Sequence, residues 1–143
     1  MRYFDSGVLL KLYLREPNSP QAVALVRERG ARPPLTALHR LEMKAAIGQK
    51  LGRGEITTME RDALLVDFEN DISAGVFAVP APDWPAVFAR AESLAVVHSS
   101  SSLCRSLDTL HVALALELGA TEFCTFDLRQ AVMAKAGKLT VVP

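Results

Sequence analysis

Apolar residues recur along the chain with two spacings, and these predict short strands alternating with longer helices. Short apolar runs bounded by polar residues, prolines or glycines predict five strands, at 2–4, 33–37, 76–80, 121–126 and 139–143. Apolar residues at helical spacing predict seven helices, at 7–16, 19–30, 38–54, 57–75, 83–97, 105–119 and 127–137. The serine-rich stretch 98–102 is predicted to be a loop.

This alternation favours a parallel sheet with helices on both of its faces. We therefore expect an α/β protein, an α/β/α sandwich around a small parallel sheet. The 143 residues suffice for one domain with a real core, and no internal repeat is visible. The expected organisation is a single domain over residues 1–143. In sheets of this type, ligands bind beyond the carboxyl ends of the strands.

Composition and cysteine content exclude several classes of protein. Half of the residues are hydrophobic and 22% are charged, which is typical of a soluble globular protein. Cys104 and Cys124 form neither a disulfide framework nor a metal-binding pattern. The first apolar run is interrupted by Lys11, unlike a signal peptide, and no run approaches the ~18 apolar residues of a membrane span. We expect a cytoplasmic protein with no membrane partner.

Two aspartates directly follow predicted strands and precede predicted helices. Asp5 follows strand 2–4, and Asp127 follows strand 121–126 in the segment CTFD. Either residue can simply cap its helix, and Asp127 with Gln130 approximates a capping box. Both nevertheless stand at the edge of the sheet where function is expected. Capping and function therefore remain open for each of them.

Two further acids lie on helix faces that are otherwise apolar. Asp108 projects into the apolar face of helix 105–119, although Ser106 as the N-cap would place it in a first turn that favours negative charge. Glu42 points out of a stripe on helix 38–54 that is formed by Leu38, Leu41, Ala45 and Ala46. Capping does not explain a glutamate in a second turn, although a salt bridge does.

Together, these four acids are candidates for one cluster. Four carboxylates brought together in a site of low dielectric constant repel one another strongly unless protons or cations are present. Oxygen ligands with no histidine or cysteine among them select Mg²⁺ or Mn²⁺. A metal ion would then be the partner that a carboxylate on an apolar helix face needs.

Three segments carry the most specific patterns of the chain: YFDSGVLLKLY, LTALHRLEMKAAI and RSLDTLHVALALELGATEFCTFDLRQAVMAKAGKLTVVP. In this order they resemble the successive motifs of PIN-domain ribonucleases, and more narrowly those of VapC toxins from bacterial type II toxin–antitoxin pairs. The pattern RSLDTLH followed by TFDLR is the most specific part. The resemblance implies a PIN-like, Rossmann-like three-layer fold and an endoribonuclease that uses one or two Mg²⁺ or Mn²⁺ ions.

Carried over residue by residue, the acidic quartet of the family falls on Asp5, Glu42, Asp108 and Asp127. The resemblance implies that these residues are catalytic and bind the metal, with Glu42 either ligating it or orienting the attacking water. It further implies that Ser6 and Thr125 hold carboxylates or waters around the metal.

The formal net charge is zero, which by itself does not favour non-specific attraction to nucleic acid. Without the quartet, however, 16 basic residues face 12 acidic ones, and metal ions would expose that surplus to RNA. Four basic residues are candidate RNA-binding residues: Arg129, Arg105, Lys11 and Arg40.

The resemblance also implies two protein partners. One is a cognate antitoxin whose C-terminal segment lies across the site, and the other is a second copy of the chain in a homodimer. On helix 38–54, Met43 and Ile47 form a second apolar edge that packs against helix 57–75 or against a partner. Tyr13, Leu14 and Met43 are therefore candidate contact residues.

An aspartate after the first strand is also typical of two other classes of protein. A haloacid-dehalogenase-type phosphatase needs a second aspartate two residues later, where this chain has Gly7. A receiver domain accepts its phosphoryl group after a middle strand, which does not match the order of motifs here. The remaining alternatives are a non-catalytic PIN-like binding module and a metal-dependent phosphatase-type hydrolase.

Overall fold

The computed structural model describes residues 1–28, 30 and 32–142. Within them, the strands are β1 (Arg2–Phe4), β2 (Glu122–Cys124) and β3 (Thr140–Val142). The helices are α1 (Ser6–Leu10), α2 (Ser19–Arg27), α3 (Ala37–Gly52), α4 (Thr58–Ser73), α5 (Trp84–Ser102), α6 (Ser106–Glu117) and α7 (Leu128–Ala136). The predicted alternation of short strands with longer helices is confirmed.

The sheet is parallel throughout, with the strand order β1-β2-β3. Phe4 lies opposite Cys124, and Cys124 lies opposite Val142. Because the strands run parallel, the residues that follow β1 and β2 leave the sheet at the same edge. The α/β class and the small parallel sheet are therefore as expected, consistent with an α/β/α sandwich.

Two of the five predicted strands form only a single bridge. Segments 33–37 and 76–80 meet at Pro34 and Ala78, in parallel orientation. The Leu35 amide donates to the Ala78 carbonyl at 2.7 Å, and the Ala78 amide donates to the Pro33 carbonyl at 2.9 Å. Consecutive prolines lack the amide hydrogens that a longer ladder would need. Residue 143, the end of the predicted last strand, lies outside the described residues.

The chain divides into two compact units, and the first comprises Met1–Asp5 and Ala81–Pro143. In this unit Tyr3 stacks on Phe123, with ring centroids 5.4 Å apart, and its hydroxyl lies 2.6 Å from His111 Nδ1. Helix α6 packs against both α5 and α7. Thr109 and Ala113 are consequently buried along with the rest of the helix interior.

The second unit is Ser6–Pro80, and its core centres on Phe68. Phe68 packs edge-on against Phe77 and Tyr13. Helix α3 contacts α1 and α4, and it buries the face that contains Met43 and Ile47. These two residues pack inside the unit, so the prediction of Met43 as a partner contact is wrong for this fold, and Leu14 is likewise buried.

The apolar stripe predicted on α3 is therefore only partly correct. Leu38 is buried, but Leu41 is 65% exposed and Ala45 is exposed as well. The true buried face runs through His39, Met43 and Ile47, at intervals of four residues. A histidine inside the apolar row hid this face from the sequence pattern.

Residues 98–102, predicted as a loop, instead form the last turns of α5. The Ser101 hydroxyl donates to the His98 carbonyl at 3.0 Å, which satisfies a carbonyl near the helix end. Ser102 is buried, and Leu103 closes the helix in the left-handed conformation with φ of 53°. Packing of α5 along α6 and α7 outweighs the low helix propensity of four consecutive serines.

The predicted helix starts agree with the structure to within one residue in most cases. Asp83 caps α5 by accepting from the Ala86 amide, and Thr57 with Glu60 forms a capping box on α4. The N-caps of α2 and α6 are Asn18 and Arg105, one residue before the predicted serines. Among the described residues, no helix combines the length and apolar character required to cross a membrane.

The corrected α3 face leads to a stability prediction. Met43→Ala should lower the free energy of unfolding by about 2–5 kcal/mol, because it leaves a cavity in a packed interior. Leu41→Ala should change it by less than about 0.5 kcal/mol, because that side chain faces solvent. Urea unfolding of both variants measures the difference. Equal losses of stability would show that Leu41 is packed in the interior, as the sequence pattern predicted.

Candidate acidic site

Asp5 comes directly after β1 and is 7% exposed. Its backbone amide donates to the Cys124 carbonyl at 3.1 Å, which continues the pairing of β1 with β2. The Thr125 hydroxyl lies 2.6 Å from Asp5 Oδ2. A buried carboxylate needs hydrogen-bond donors, and Thr125 supplies one from the neighbouring strand end.

The Thr125 hydroxyl joins three residues of the site. It accepts a hydrogen bond from the Asp127 amide at 3.0 Å, and it lies 2.7 Å from Gln130 Oε1. A hydroxyl carries a single proton. Thr125 therefore donates to either Asp5 or Gln130 at one time, and its orientation depends on both.

Asp127 is the N-cap of α7, as one of the two predicted interpretations held. Its Oδ1 accepts from the amides of Arg129 and Gln130, at 2.8 and 3.1 Å. Its other carboxylate oxygen, Oδ2, makes no hydrogen bond to the described part of the chain. Capping thus uses one oxygen and leaves the second for another ligand.

Asp108 lies in the first turn of α6 and is half-buried. Its Oδ2 accepts from Arg105 Nε at 3.0 Å, and Gln130 Nε2 donates to its main-chain carbonyl at 3.3 Å. The Arg105 side chain is 75% exposed. The partner of Asp108 in this structure is therefore an exposed guanidinium, and such a surface ion pair contributes little to stability.

Asp108 and Asp127 both influence the pKa values of two neighbouring side chains. Burial raises the pKa of the Cys104 thiol, and the negative charges of Asp108 and Asp127 add to this rise. The pKa of Arg105 is raised first by its hydrogen bond to Asp108, and the charge of Asp127 contributes as well. Both carboxylates thus act on the same two side chains.

Glu42 and Ser6 belong to the second unit. Glu42 is half-buried on α3 next to Met43, and Ser6 is a buried residue at the start of α1. Of the six predicted catalytic and supporting residues, the structure joins Asp5, Asp108, Asp127 and Thr125 through a hydrogen-bond network within the first unit.

The oxygen atoms of the network are of the kind that bind a hard metal ion. The network contains three carboxylates and one hydroxyl, which are the hard oxygen ligands that Mg²⁺ and Mn²⁺ prefer. In the described ranges, no three His, Cys, Asp or Glu residues are already arranged to hold one ion. The residues fit a hard divalent cation by type, and Asp108 is turned toward Arg105 instead.

The four candidate RNA-binding residues differ in their surroundings. Lys11 pairs with Glu16 at 2.8 Å, and Arg40 pairs with Glu69 at 2.9 Å. Hydrogen bonds from Lys11 and Lys50 hold the pKa of Glu16 below its ordinary value. Arg105 pairs with Asp108, whereas Arg129 is exposed and forms no ion pair with the described residues.

Sequence reasoning missed one residue of the network. Gln130 was considered only as a capping partner of Asp127, yet its side chain is buried and contacts Thr125 and the Asp108 carbonyl. Its helical spacing could have indicated burial, because residues 130, 133 and 134 share the buried face of α7. A glutamine in such a row is a buried polar group that needs partners.

Comparison with known proteins identifies a family and a similar fold. The model of the PIN domain family matches residues 2–136. The crystal structure of FitAcB from Neisseria gonorrhoeae is similar with a TM-score of 0.71 and 19% identity, covering 100% of this chain and 97% of that one. At this identity the likeness concerns the fold. No curated protein sequence matches the chain.

The two interpretations of Asp127 separate in a stability experiment. Asp127→Ala should lower the free energy of unfolding by about 0.5–2 kcal/mol, because it removes the cap of α7. Asp127→Asn should lower it much less, because the amide oxygen still accepts from the two backbone amides. Thermal or urea unfolding in EDTA measures both variants, and an equal loss in each would show that the charge itself stabilises the helix.

Proposed function

The chain belongs to the PIN domain family, and from this premise we propose that it is a metal-dependent endoribonuclease and the toxin of a toxin–antitoxin pair. PIN domains are generally nucleases, which hydrolyse phosphodiester bonds. The observation that carries the proposal is the hydrogen-bond network that ties Asp5, Asp108 and Asp127 together through Thr125 and Gln130. A fold needs no such concentration of acids for its stability.

The proposed metal ligands are Asp5, Asp108 and Asp127, and Glu42 remains the fourth proposed catalytic acid because of its motif. A bound Mg²⁺ or Mn²⁺, as one ion or two, supplies Lewis acidity at the phosphate and neutralises the carboxylates. Without a bound cation, Thr125 can orient the Asp5 carboxylate by donating its proton to Oδ2. Asp127 presents Oδ2, since Oδ1 is held by the first turn of α7.

Substrate binding is assigned to the exposed basic residues at the same network. Arg129 follows Asp127 by two residues and is exposed, so its guanidinium is available to a phosphate. Arg105 pairs with Asp108 through a largely exposed side chain, so it can exchange this carboxylate for an RNA phosphate. Lys11 and Arg40 are weaker candidates, because each is already paired with a glutamate.

The proposed partners are RNA, a cognate antitoxin and a second copy of the chain. The support for the antitoxin and the homodimer is the likeness of the motifs to VapC toxins. Since RNA is the proposed substrate, we place the protein in the cytoplasm. A small gene encoding a DNA-binding protein next to this one would support the pairing.

Two other functions use the same fold. A non-catalytic binding module would retain RNA binding without cleavage, and a phosphatase-type hydrolase would release inorganic phosphate from monoesters. The intact set of acids favours catalysis over a binding module. Membership of the PIN domain family, whose members are generally nucleases, favours the nuclease over the phosphatase.

We predict that the purified chain cleaves RNA in Mg²⁺ or Mn²⁺ and not in EDTA. Gel analysis of a structured RNA measures cleavage, and a parallel assay for released phosphate distinguishes the phosphatase. Chelation should abolish activity because the carboxylates lose the cation that balances their charge. Full activity in EDTA, with contaminating nuclease excluded, would contradict the metal mechanism.

Asp127→Asn should lose cleavage by at least about 100-fold while the protein remains folded. Asp83→Asn is the matched control, because Asp83 is also an N-cap aspartate but caps α5 instead. The control should cleave at the wild-type rate. Equal activity of the two variants would show that Asp127 acts only as a cap.

Arg129→Ala should raise the KM for RNA and leave kcat nearly unchanged, because a phosphate contact contributes to uniform binding. The slope of log affinity against log salt should fall by about one unit. Lys135→Ala removes the same charge from the other end of α7 and serves as the control. A change in kcat without a change in KM would exclude a role in binding.

A further inference from the structure

Gln130 is the one polar residue among the buried side chains of α7. It is 1% exposed, and its neighbours on that face are Met133 and Ala134. A buried carboxamide has two hydrogens to donate and one oxygen that accepts, and each costs free energy if it lacks a partner. An apolar residue of similar size would fill this position more simply.

Three hydrogen bonds connect Gln130 to the acidic network. Its backbone amide donates to Asp127 Oδ1 at 3.1 Å, and its Nε2 donates to the main-chain carbonyl of Asp108 at 3.3 Å. Its Oε1 lies 2.7 Å from the Thr125 hydroxyl, which in turn contacts Asp5. Gln130 therefore contacts two of the three aspartates directly and the third through Thr125.

The local sequence explains why this side chain turns inward. In a capping box, the third residue of the helix accepts from the backbone amide of the N-cap. Here the Asp127 amide already donates to Thr125 Oγ1. The Gln130 side chain is thereby released from capping and reaches across to α6.

We propose that Gln130 is a positioning residue that sets the spacing of Asp5, Asp108 and Asp127 for metal binding. The proposal rests on the proposed function, and it adds a residue outside the acidic quartet and its two hydroxyl residues. Asp108 lies on α6 and Asp127 caps α7, so the distance between their carboxylates depends on how these helices pack. Gln130 is the side chain that hydrogen-bonds from one helix to the other.

Gln130 also controls the Thr125 proton. The hydroxyl proton has two acceptors, Asp5 Oδ2 and Gln130 Oε1. A cation held by Asp5 would weaken the demand of that carboxylate for the proton, and Gln130 Oε1 would then be the better acceptor. The single Thr125 proton thus has two alternative acceptors within the network.

The first test compares Gln130→Met with Met133→Ala. Methionine has a similar volume and forms no equivalent hydrogen bonds, whereas Met133→Ala damages the same helix without touching the network. Free Mn²⁺ is measured by electron paramagnetic resonance to obtain its dissociation constant. Gln130→Met should weaken Mn²⁺ binding about 10–100-fold, and Met133→Ala should leave it unchanged. Equal weakening in both, or none in Gln130→Met, would overturn the proposal.

The second test asks whether Gln130 acts through Thr125. Thr125→Val removes the hydroxyl, and Thr125→Ser retains it. If both residues work through one hydrogen bond, Gln130→Met with Thr125→Val should bind Mn²⁺ about as weakly as the weaker single variant. Thr125→Ser should restore binding toward the wild-type value. If the losses of Mn²⁺ affinity in the two single variants multiply in the double variant, Gln130 does not act through Thr125.

The third test uses no metal, so that it separates this proposal from the proposed function. In EDTA, ¹³C NMR follows the side-chain carboxyl signals of the aspartates. Gln130→Met should shift the signals of Asp5, Asp108 and Asp127, whereas Met133→Ala should leave them in place. Absence of Mn²⁺ binding by the wild type would contradict the metal-dependent function. Unmoved carboxyl signals would contradict the role of Gln130.

A second substitution at Gln130 keeps the proposal testable if the first one prevents folding. If Gln130→Met does not fold, Gln130→Asn replaces it, because asparagine keeps the carboxamide but is one methylene shorter. It cannot reach Thr125 and the Asp108 carbonyl together. The same Mn²⁺ affinity and carboxyl signals decide its outcome, with Met133→Ala as the reference.

Discussion

The parallel pairing of β1 with β2 is the constraint on which the acidic site depends. With Phe4 opposite Cys124, the next residues along the two strands are Asp5 and Thr125, and they leave the sheet at the same edge. The 2.6 Å contact between them follows from this register. A shift of one residue in this pairing would place the two side chains on opposite faces and separate the carboxylate from its donor.

Charge balance governs the rest of the site. The negative charges of Asp108 and Asp127 both contribute to the raised pKa of the Cys104 thiol and of the Arg105 guanidinium. The charge of Asp127 is compensated by helix-terminal amides, and that of Asp108 by its ion pair with Arg105. In each case only one carboxylate oxygen is used, which is Oδ1 of Asp127 and Oδ2 of Asp108. The arrangement therefore tolerates the acids in the fold while keeping oxygens available for a cation.

The same residue can serve the fold and the site together, and Asp127 is the clearest case. The sequence pattern presented capping and function as alternatives, and the structure shows the capping half directly. Its two oxygens divide the tasks, since only Oδ1 faces the amides of α7. Asp108 differs, because its first-turn position carries no cap and its side-chain partner is an exposed arginine.

Helix and strand positions followed from the sequence because they depend on local spacing, caps and prolines. The position of Asp5 after β1, the position of Asp127 before α7 and the motifs of the family were all predictable in this way. Burial was less predictable. The face of α3 was misjudged because a histidine interrupts its apolar row, and the serines at 98–102 are helical because α5 packs along α6 and α7.

The sequence by itself determined the α/β class, the family and the identity of the acids, since these are carried by residue types at short spacings along the chain. Only the tertiary structure decided which oxygen of Asp127 is used by α7, that Arg105 pairs with Asp108, and that Gln130 links α6 to α7. Each of these depends on a hydrogen bond whose direction is set by side-chain rotamers and helix packing. Such contacts join segments that no local pattern relates.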